Sequence, residues 1–118
     1  MYYNSIMNDD NNKITEHIQS LCFDVPSNVQ SVITHNITKR LELGRSRYGH
    51  GVIINSDVSQ WTENKTNNWI EMAYEEFYDG LIYLSAAYFR EKQNNDHNEV
   101  HKIIRAMKFL ISGIQELS

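Results

Sequence analysis

Cysteine and proline are scarce in this sequence, which has one residue of each, Cys22 and Pro26, in 118 residues. A single cysteine excludes an intramolecular disulfide framework and a cysteine-based zinc site, which agrees with a reducing compartment. Positive charge is also limited, because 11 Lys and Arg residues stand against 15 Asp and Glu and give a formal net charge of -4. This balance argues against extended nucleic-acid binding, which relies on many contacts from Lys and Arg to phosphates.

Long apolar runs are missing as well, since none approaches the roughly 20 residues that a membrane-spanning helix needs. The first residues have neither the basic start nor the apolar segment of an export signal, so we expect a cytoplasmic protein without a membrane partner. Residues 1–13 are polar and aperiodic, which predicts a mobile arm, although Tyr2, Tyr3 and Ile6 could dock on a neighbour. Residues 14–118 suffice for a single domain, and a chain this short often gains stability as a homo-oligomer.

Apolar residues recur at helical spacing in most of the chain, which predicts an all-α bundle of three to four helices. The predicted helices cover residues 14–23, 27–47, 69–89 and 98–117. Ser27 and Gln30 match a capping box at the start of the second helix. The last helix carries an a/d-like apolar seam, which fits an intramolecular core and a dimer interface equally well. An irregular loop, with a short extended piece at residues 52–54, is predicted between the second and third helices.

A basic and aromatic cluster precedes a glycine-containing turn at the end of the second predicted helix. Guanidinium groups beside such a turn could bind phosphates, while an aromatic ring stacks on a base and a histidine donates a hydrogen bond or moves a proton. The alternative is a basic helix C-terminus that complements its own dipole and ends at a glycine. The candidate nucleotide-binding residues are Arg40, Arg45, Arg47, Tyr48, His50 and Trp61.

Four acidic residues occupy the first half of the third predicted helix. A rotation of about 100° per residue places Glu71, Glu75 and Asp79 along one line, with Glu76 beside it. Like charges four residues apart cost a helix about 0.2–0.5 kcal/mol per pair, so basic partners or a divalent cation such as Mg²⁺ should compensate. A solvated acidic surface is the plainer alternative. Residues 80–89 carry no charge, which predicts that the second half of the helix is mostly enclosed.

The segment Glu75-Glu76-x-x-Asp79, followed by an apolar helical continuation, resembles the acidic motif of the all-α nucleoside triphosphate pyrophosphohydrolases, the MazG-like superfamily. The wider pattern over residues 40–91 also resembles small proteins of phages and large DNA viruses. The superfamily resemblance implies a Mg²⁺ cofactor and hydrolysis of a nucleotide between its α and β phosphates. It also implies that Glu75, Glu76 and Asp79 are the metal ligands, with Glu71 as an additional candidate, and that Glu75 and Glu76 are catalytic.

The sequence departs from that superfamily in one respect, because the family pattern has a second, upstream acidic helix. The only acid in the corresponding region is the isolated Glu42. Either a second subunit supplies the missing ligands, or the site binds a nucleotide without hydrolysing it. Three functions therefore remain open: a Mg²⁺-dependent pyrophosphohydrolase, a nucleotide-sequestering protein, and a structural or adaptor oligomer that uses the last helix.

Overall fold

The computed structural model describes residues 9–57 and 68–118. They form four helices and no strand: α1 (Asn11–Leu21), α2 (Ser27–Tyr48), α3 (Trp69–Gln93) and α4 (His97–Leu117). The all-α prediction is therefore confirmed. None of the helices in these two ranges is both long and apolar enough to cross a membrane.

The chain divides into two compact units, Met1–Ser56 and Asp57–Ser118. In the first unit α1 packs against α2, and in the second α3 packs against α4. The predicted single domain over residues 14–118 stays a prediction.

α1 begins at Asn11, inside the segment that the sequence predicts as a mobile arm. The backbone amide of Asn11 donates to Oδ1 of Asp9 at 3.1 Å, and the amide of Ile14 donates to the carbonyl oxygen of Asp10 at 3.0 Å. Asn11 itself is buried. These contacts start the helix three residues before the predicted boundary at Ile14, and residues 1–8 of the predicted arm lie outside the described residues.

The start of α2 differs from the predicted capping box, which is wrong. Pro26 occupies the N-cap position, so Ser27 is the first helical residue and its hydroxyl makes no cap bond. The side chain of Gln30 bonds elsewhere: its Nε2 donates to the carbonyl oxygen of Val25 at 2.6 Å. Proline suits this boundary, since it lacks the amide hydrogen that a helix start would leave unpaired.

α2 ends with a basic last turn followed by a glycine. This is the structural alternative that the sequence offers to a nucleotide-binding turn. Gly49 adopts a left-handed conformation with φ 80°, which glycine reaches without steric cost. Its amide donates to the carbonyl oxygen of Arg45 at 2.9 Å. Arg45 and Arg47 lie in the last turn, where positive charge stabilises the helix dipole.

The segment after this glycine is held by the start of α1 rather than by strand pairing. The carbonyl oxygen of Val52 accepts from the amide of Asp10 at 2.6 Å, and the amide of Val52 donates to Oδ1 of Asn11 at 2.8 Å. The amide of Ile54 donates to Oδ2 of Asp10 at 2.8 Å. The predicted extended piece at residues 52–54 therefore belongs to no sheet within the described residues.

α3 and α4 are both capped by side chains and joined by a tight connection. Oδ1 of Asn68 accepts from the amides of Ile70 at 2.8 Å and Glu71 at 3.2 Å, which fixes the start of α3. Asp96 caps α4 in the same way through the amide of Glu99 at 3.1 Å. Between the helices, Asn95 takes a φ of 58°, a conformation that Asn tolerates better than most residues.

The apolar seam of α4 packs along α3. This packing corresponds to the intramolecular core, one of the two alternatives for the seam. Ile103 of this seam is the one buried hydrophobic residue among the described residues. A Cβ built on Gly80 would lie 3.1 Å from Cδ1 of Leu110, and one built on Gly113 would lie 3.5 Å from Phe77. Gly80 therefore lets α3 approach α4 closely, whereas a side chain at Gly113 would make only an ordinary van der Waals contact.

Candidate functional site

The predicted metal ligands lie in the first three turns of α3, after the Asn68 cap. Glu71, Glu76 and Asp79 are exposed, and Glu75 is partly buried. Within residues 9–57 and 68–118, no group of three or more His, Cys, Asp or Glu side chains is arranged to hold a metal ion. The four acids thus share one helix surface without forming a closed ligand set.

The chemistry of these donors suits Mg²⁺ even though the set is incomplete. Carboxylate oxygens are hard ligands, and Mg²⁺ is commonly bound through one or two carboxylates together with water and substrate phosphates. Glu75 and Asp79 are one helical turn apart and provide such a pair. The magnesium site stays a prediction, in which further ligands come from a nucleotide or from another chain.

The second half of α3 is not enclosed, so that expectation is wrong. Ile82, Tyr83 and Phe89 expose 63%, 69% and 62% of their surface. The cause is the hairpin itself, because α3 meets α4 along one side through Phe77 and Gly80. An α-helix that packs against a single neighbour leaves the opposite side open. The acids and the open apolar side chains therefore share the side of α3 that faces away from α4.

Arg45, a predicted phosphate-binding residue, is engaged in an ion pair. Its Nη2 and Nε donate to the same Oδ2 of Asp9, at 2.8 and 3.2 Å. The side chain of Asp9 is only 6% exposed and that of Arg45 is 30% exposed. The guanidinium thus anchors the start of α1, and a phosphate would have to compete with a nearly buried carboxylate for it.

The remaining predicted nucleotide-binding residues are only partly brought together. Arg40 and Arg47 are exposed and seven residues apart on α2, which places them on one side of that helix, with Arg45 turned well away. Tyr48 is exposed at the helix end, and Nδ1 of His50 donates to the carbonyl oxygen of Gly51 at 2.7 Å. Trp61 lies outside the described residues.

The basic and acidic candidates belong to different compact units, since the basic set lies on α2 and the acidic set on α3. The sequence does not reveal this division, because both sets fall on helices with ordinary amphipathic patterns.

Sequence reasoning missed a small polar recess between α1 and α2. It has a volume of about 120 Å³ and includes the Arg45 side chain together with Asn11, Thr15 and Glu42. Glu42, which the sequence presents as an isolated acid, therefore lines the same recess as Arg45. The sequence gives no signal for this recess, because Asp9 and Asn11 stand in a segment that its composition marks as disordered.

An apolar groove on the α3–α4 hairpin was missed as well. Its volume is about 370 Å³, and it is lined by Ser85, Tyr88, Phe89, Ile104, Met107, Lys108 and Ile111. Ile104 and Ile111 widen the apolar stripe of α4 beyond the seam that contacts α3, and this excess of apolar surface was the available signal.

Comparison of the chain with protein-family models, with curated proteins and with solved structures gives no match.

Proposed function

We propose that this chain is a Mg²⁺-dependent, nucleotide pyrophosphohydrolase-like protein that acts on a nucleoside triphosphate or a related nucleotide. The supporting observation is the row of acids on the first three turns of α3, on a side of the helix that α4 leaves open. Three of the four carboxylates are exposed and can reach a ligand without moving the backbone.

Glu75 and Asp79 are the proposed pair that holds the metal, with Glu71 and Glu76 on either side of it. Within residues 9–57 and 68–118 the acids form no closed ligand set, so phosphate oxygens of the nucleotide and water would complete the coordination. When bound, Mg²⁺ polarises a phosphate and makes water a better nucleophile near neutral pH. Glu76, exposed beside the pair, is the proposed base that accepts the proton of the attacking water.

Arg40 and Arg47 are the proposed phosphate-neutralising residues, because both guanidinium groups are exposed on one side of α2. Arg45 contributes less, since its ion pair with Asp9 already satisfies two of its donors. Tyr48, His50 and Trp61 remain the proposed contacts to the base and sugar.

The test is incubation of the pure chain with each ribo- and deoxyribonucleoside triphosphate and Mg²⁺, followed by detection of pyrophosphate and the monophosphate. Glu75→Gln combined with Asp79→Asn should abolish release, because the paired ligands are lost. Glu116→Gln, an exposed acid on α4, is the matched control and should retain activity. Absence of pyrophosphate from every nucleotide at high protein concentration removes the enzyme proposal.

A second candidate is nucleotide binding without turnover, which is favoured by the absence of a closed three-acid group within the described residues. This function predicts that heating the purified protein releases a nucleotide in stoichiometric amount, and that a chelator leaves binding unchanged. A purely structural oligomer predicts instead that Glu75→Gln with Asp79→Asn alters stability while no nucleotide binds to either protein.

A further inference from the structure

One line of side chains runs the length of α3 on the side open to solvent. Residues that alternate by four and three positions lie along one line of a helix. We call this line the α3 stripe; its members are Glu71, Glu75, Tyr78, Ile82, Ser85, Phe89 and Lys92. The stripe is acidic at its first end, apolar in its middle and basic at its last end.

The stripe continues into the apolar groove, because Ser85 and Phe89 line that groove together with Ile104 and Ile111 of α4. Tyr78, Ile82, Phe89 and Ile111 are each more than half exposed. The middle of the stripe and the flank of α4 thus form one continuous apolar surface on the hairpin.

The α3–α4 hairpin has few buried hydrophobic residues for its length. Ile103 is the single buried hydrophobic residue among the described residues, although the hairpin is 49 residues long from Trp69 to Leu117. Two helices touch along one line and cannot enclose side chains, whereas three or four helices can. A further pair of helices against the open side would supply the enclosure that the hairpin lacks.

We propose that a second copy of this chain covers the surface, with the two α3 stripes antiparallel about a two-fold axis near Ile82. This arrangement makes a four-helix bundle from two hairpins. It uses the packing of the hairpin and no nucleotide. Because it covers Glu71 and Glu75, it is an alternative to a metal site on those acids rather than a part of the proposed enzymatic function.

The order of residues in the stripe is self-complementary in the antiparallel direction. With Ile82 facing its own counterpart, Glu71 of one copy lies opposite Lys92 of the other. The same register sets Tyr78 opposite Ser85, so two hydroxyl groups meet, and it sets Glu75 opposite Phe89, beside the Lys108 that lines the groove. A parallel pairing would instead place Glu71 against Glu71 and Glu75 against Glu75, which repel.

The area of the surface is close to what a dimer of this size requires. Aromatic side chains present about 150–250 Å² when fully open and isoleucine somewhat less. The two aromatic and two isoleucine side chains that are more than half exposed therefore present on the order of 400 Å² per copy. Since about 60% of an interface is apolar, this corresponds to roughly 650 Å² per copy, against about 800 Å² per partner in a standard interface.

The first test is the mass of the full chain by light scattering and analytical ultracentrifugation over a range of concentrations. The wild-type chain should be a dimer at high concentration and dissociate on dilution. Ile82→Glu should raise the dissociation constant by about 100-fold or more, because it places two carboxylates on the axis. Tyr83→Glu is the matched control; it lies one residue on, turned by about 100° and equally exposed, and should leave the dimer intact.

The second test distinguishes the direction of pairing by reversing charges at the ends of the stripe. Glu71→Lys should weaken the dimer by about tenfold at low salt, and adding Lys92→Glu to the same chain should restore it. In a parallel dimer the two substituted side chains would face each other and repel as the two glutamates do, so Glu71→Lys alone would leave its affinity unchanged. Far-ultraviolet circular dichroism confirms that each variant is helical.

Three outcomes overturn the proposal. The first is a wild-type chain that stays monomeric at every concentration, because another segment of the same chain or a different protein covers the surface. The second is a dimer that Ile82→Glu does not affect. The third is a dimer that Glu71→Lys does not weaken at low salt.

Discussion

Oδ2 of Asp9 accepts two hydrogen bonds from the guanidinium of Arg45, one from Nη2 at 2.8 Å and one from Nε at 3.2 Å. The two residues are 36 positions apart, and the carboxylate is almost completely withdrawn from solvent. This ion pair joins the beginning of α1 to the end of α2. Because it is partly buried, removal of one partner should cost more stability than removal of a partner from an ion pair on the surface.

Asp9→Asn should therefore destabilise the first unit by about 1–3 kcal/mol, because the guanidinium keeps its burial but loses its charged partner. The measurement is the free energy of unfolding from urea titration followed by far-ultraviolet circular dichroism. Lys102→Gln is the control, since its ion pair with Glu99 is exposed on both sides and 3.3 Å long. It should change stability by less than about 0.5 kcal/mol, and equal effects of the two substitutions would contradict the assignment.

Gly51→Ala should also destabilise the first unit, by about 1–3 kcal/mol. A Cβ at this position would lie 2.5 Å from Oδ2 of Asp9 and 2.6 Å from the amide atoms of Asn11, so the contact with α1 must shift. Gly44→Ala is the matched control, because a Cβ there meets nothing within 4 Å and the residue lies inside α2. It should stabilise the helix by about 0.5–1 kcal/mol. Thermal unfolding of both variants decides the sign of each effect.

Asn68→Ala should cost about 1 kcal/mol through loss of the cap on α3. Two backbone amides, those of Ile70 and Glu71, lose their acceptor in this variant. Asn68→Asp retains the acceptor oxygen and adds a negative charge near the positive end of the helix dipole, so it should preserve stability. Hydrogen exchange of these two amides provides the readout, and unchanged protection in Asn68→Ala would be evidence against the cap.

Ile103→Ala should destabilise the α3–α4 hairpin by about 2–4 kcal/mol, since it removes the side chain at the centre of its packing. Phe109→Ala removes a larger side chain from the same helix, but one that is 77% exposed. It should change the free energy of unfolding by less than about 0.5 kcal/mol. Urea titration of the two variants compares them, and a larger effect at Phe109 would show that the hairpin packs differently.

The helices were predictable because their apolar residues follow the helical period, and three of the four starts fall within one residue of the predicted position or on it. The exception is α1, where Asp9 and Asn11 sit in a polar segment whose composition indicates disorder. Their partners, Arg45 and Val52, are 36 and 41 residues away, and no local pattern reveals such pairings. The end of α2 was predictable, since a glycine after a basic turn has a local physical cause.

The candidate site was predictable only as a set of residues on one side of α3. The expectation that residues 80–89 are enclosed assumed that apolar side chains are always covered within their own chain. Ile82 and Phe89 show that a hairpin leaves one side of each helix open.

The hydrogen bonds from Asp10 and Asn11 to the segment at Val52 and Ile54 link two distant parts of the chain. Because these bonds break when either part moves away, we expect fraying of the first turn of α1 and exposure of the turn after α2 to occur together. We therefore expect a protease to cleave within residues 49–54 mainly after the hydrogen bonds to the start of α1 have broken. Substitution of Asn11 should accordingly accelerate cleavage at a turn 41 residues further along the chain.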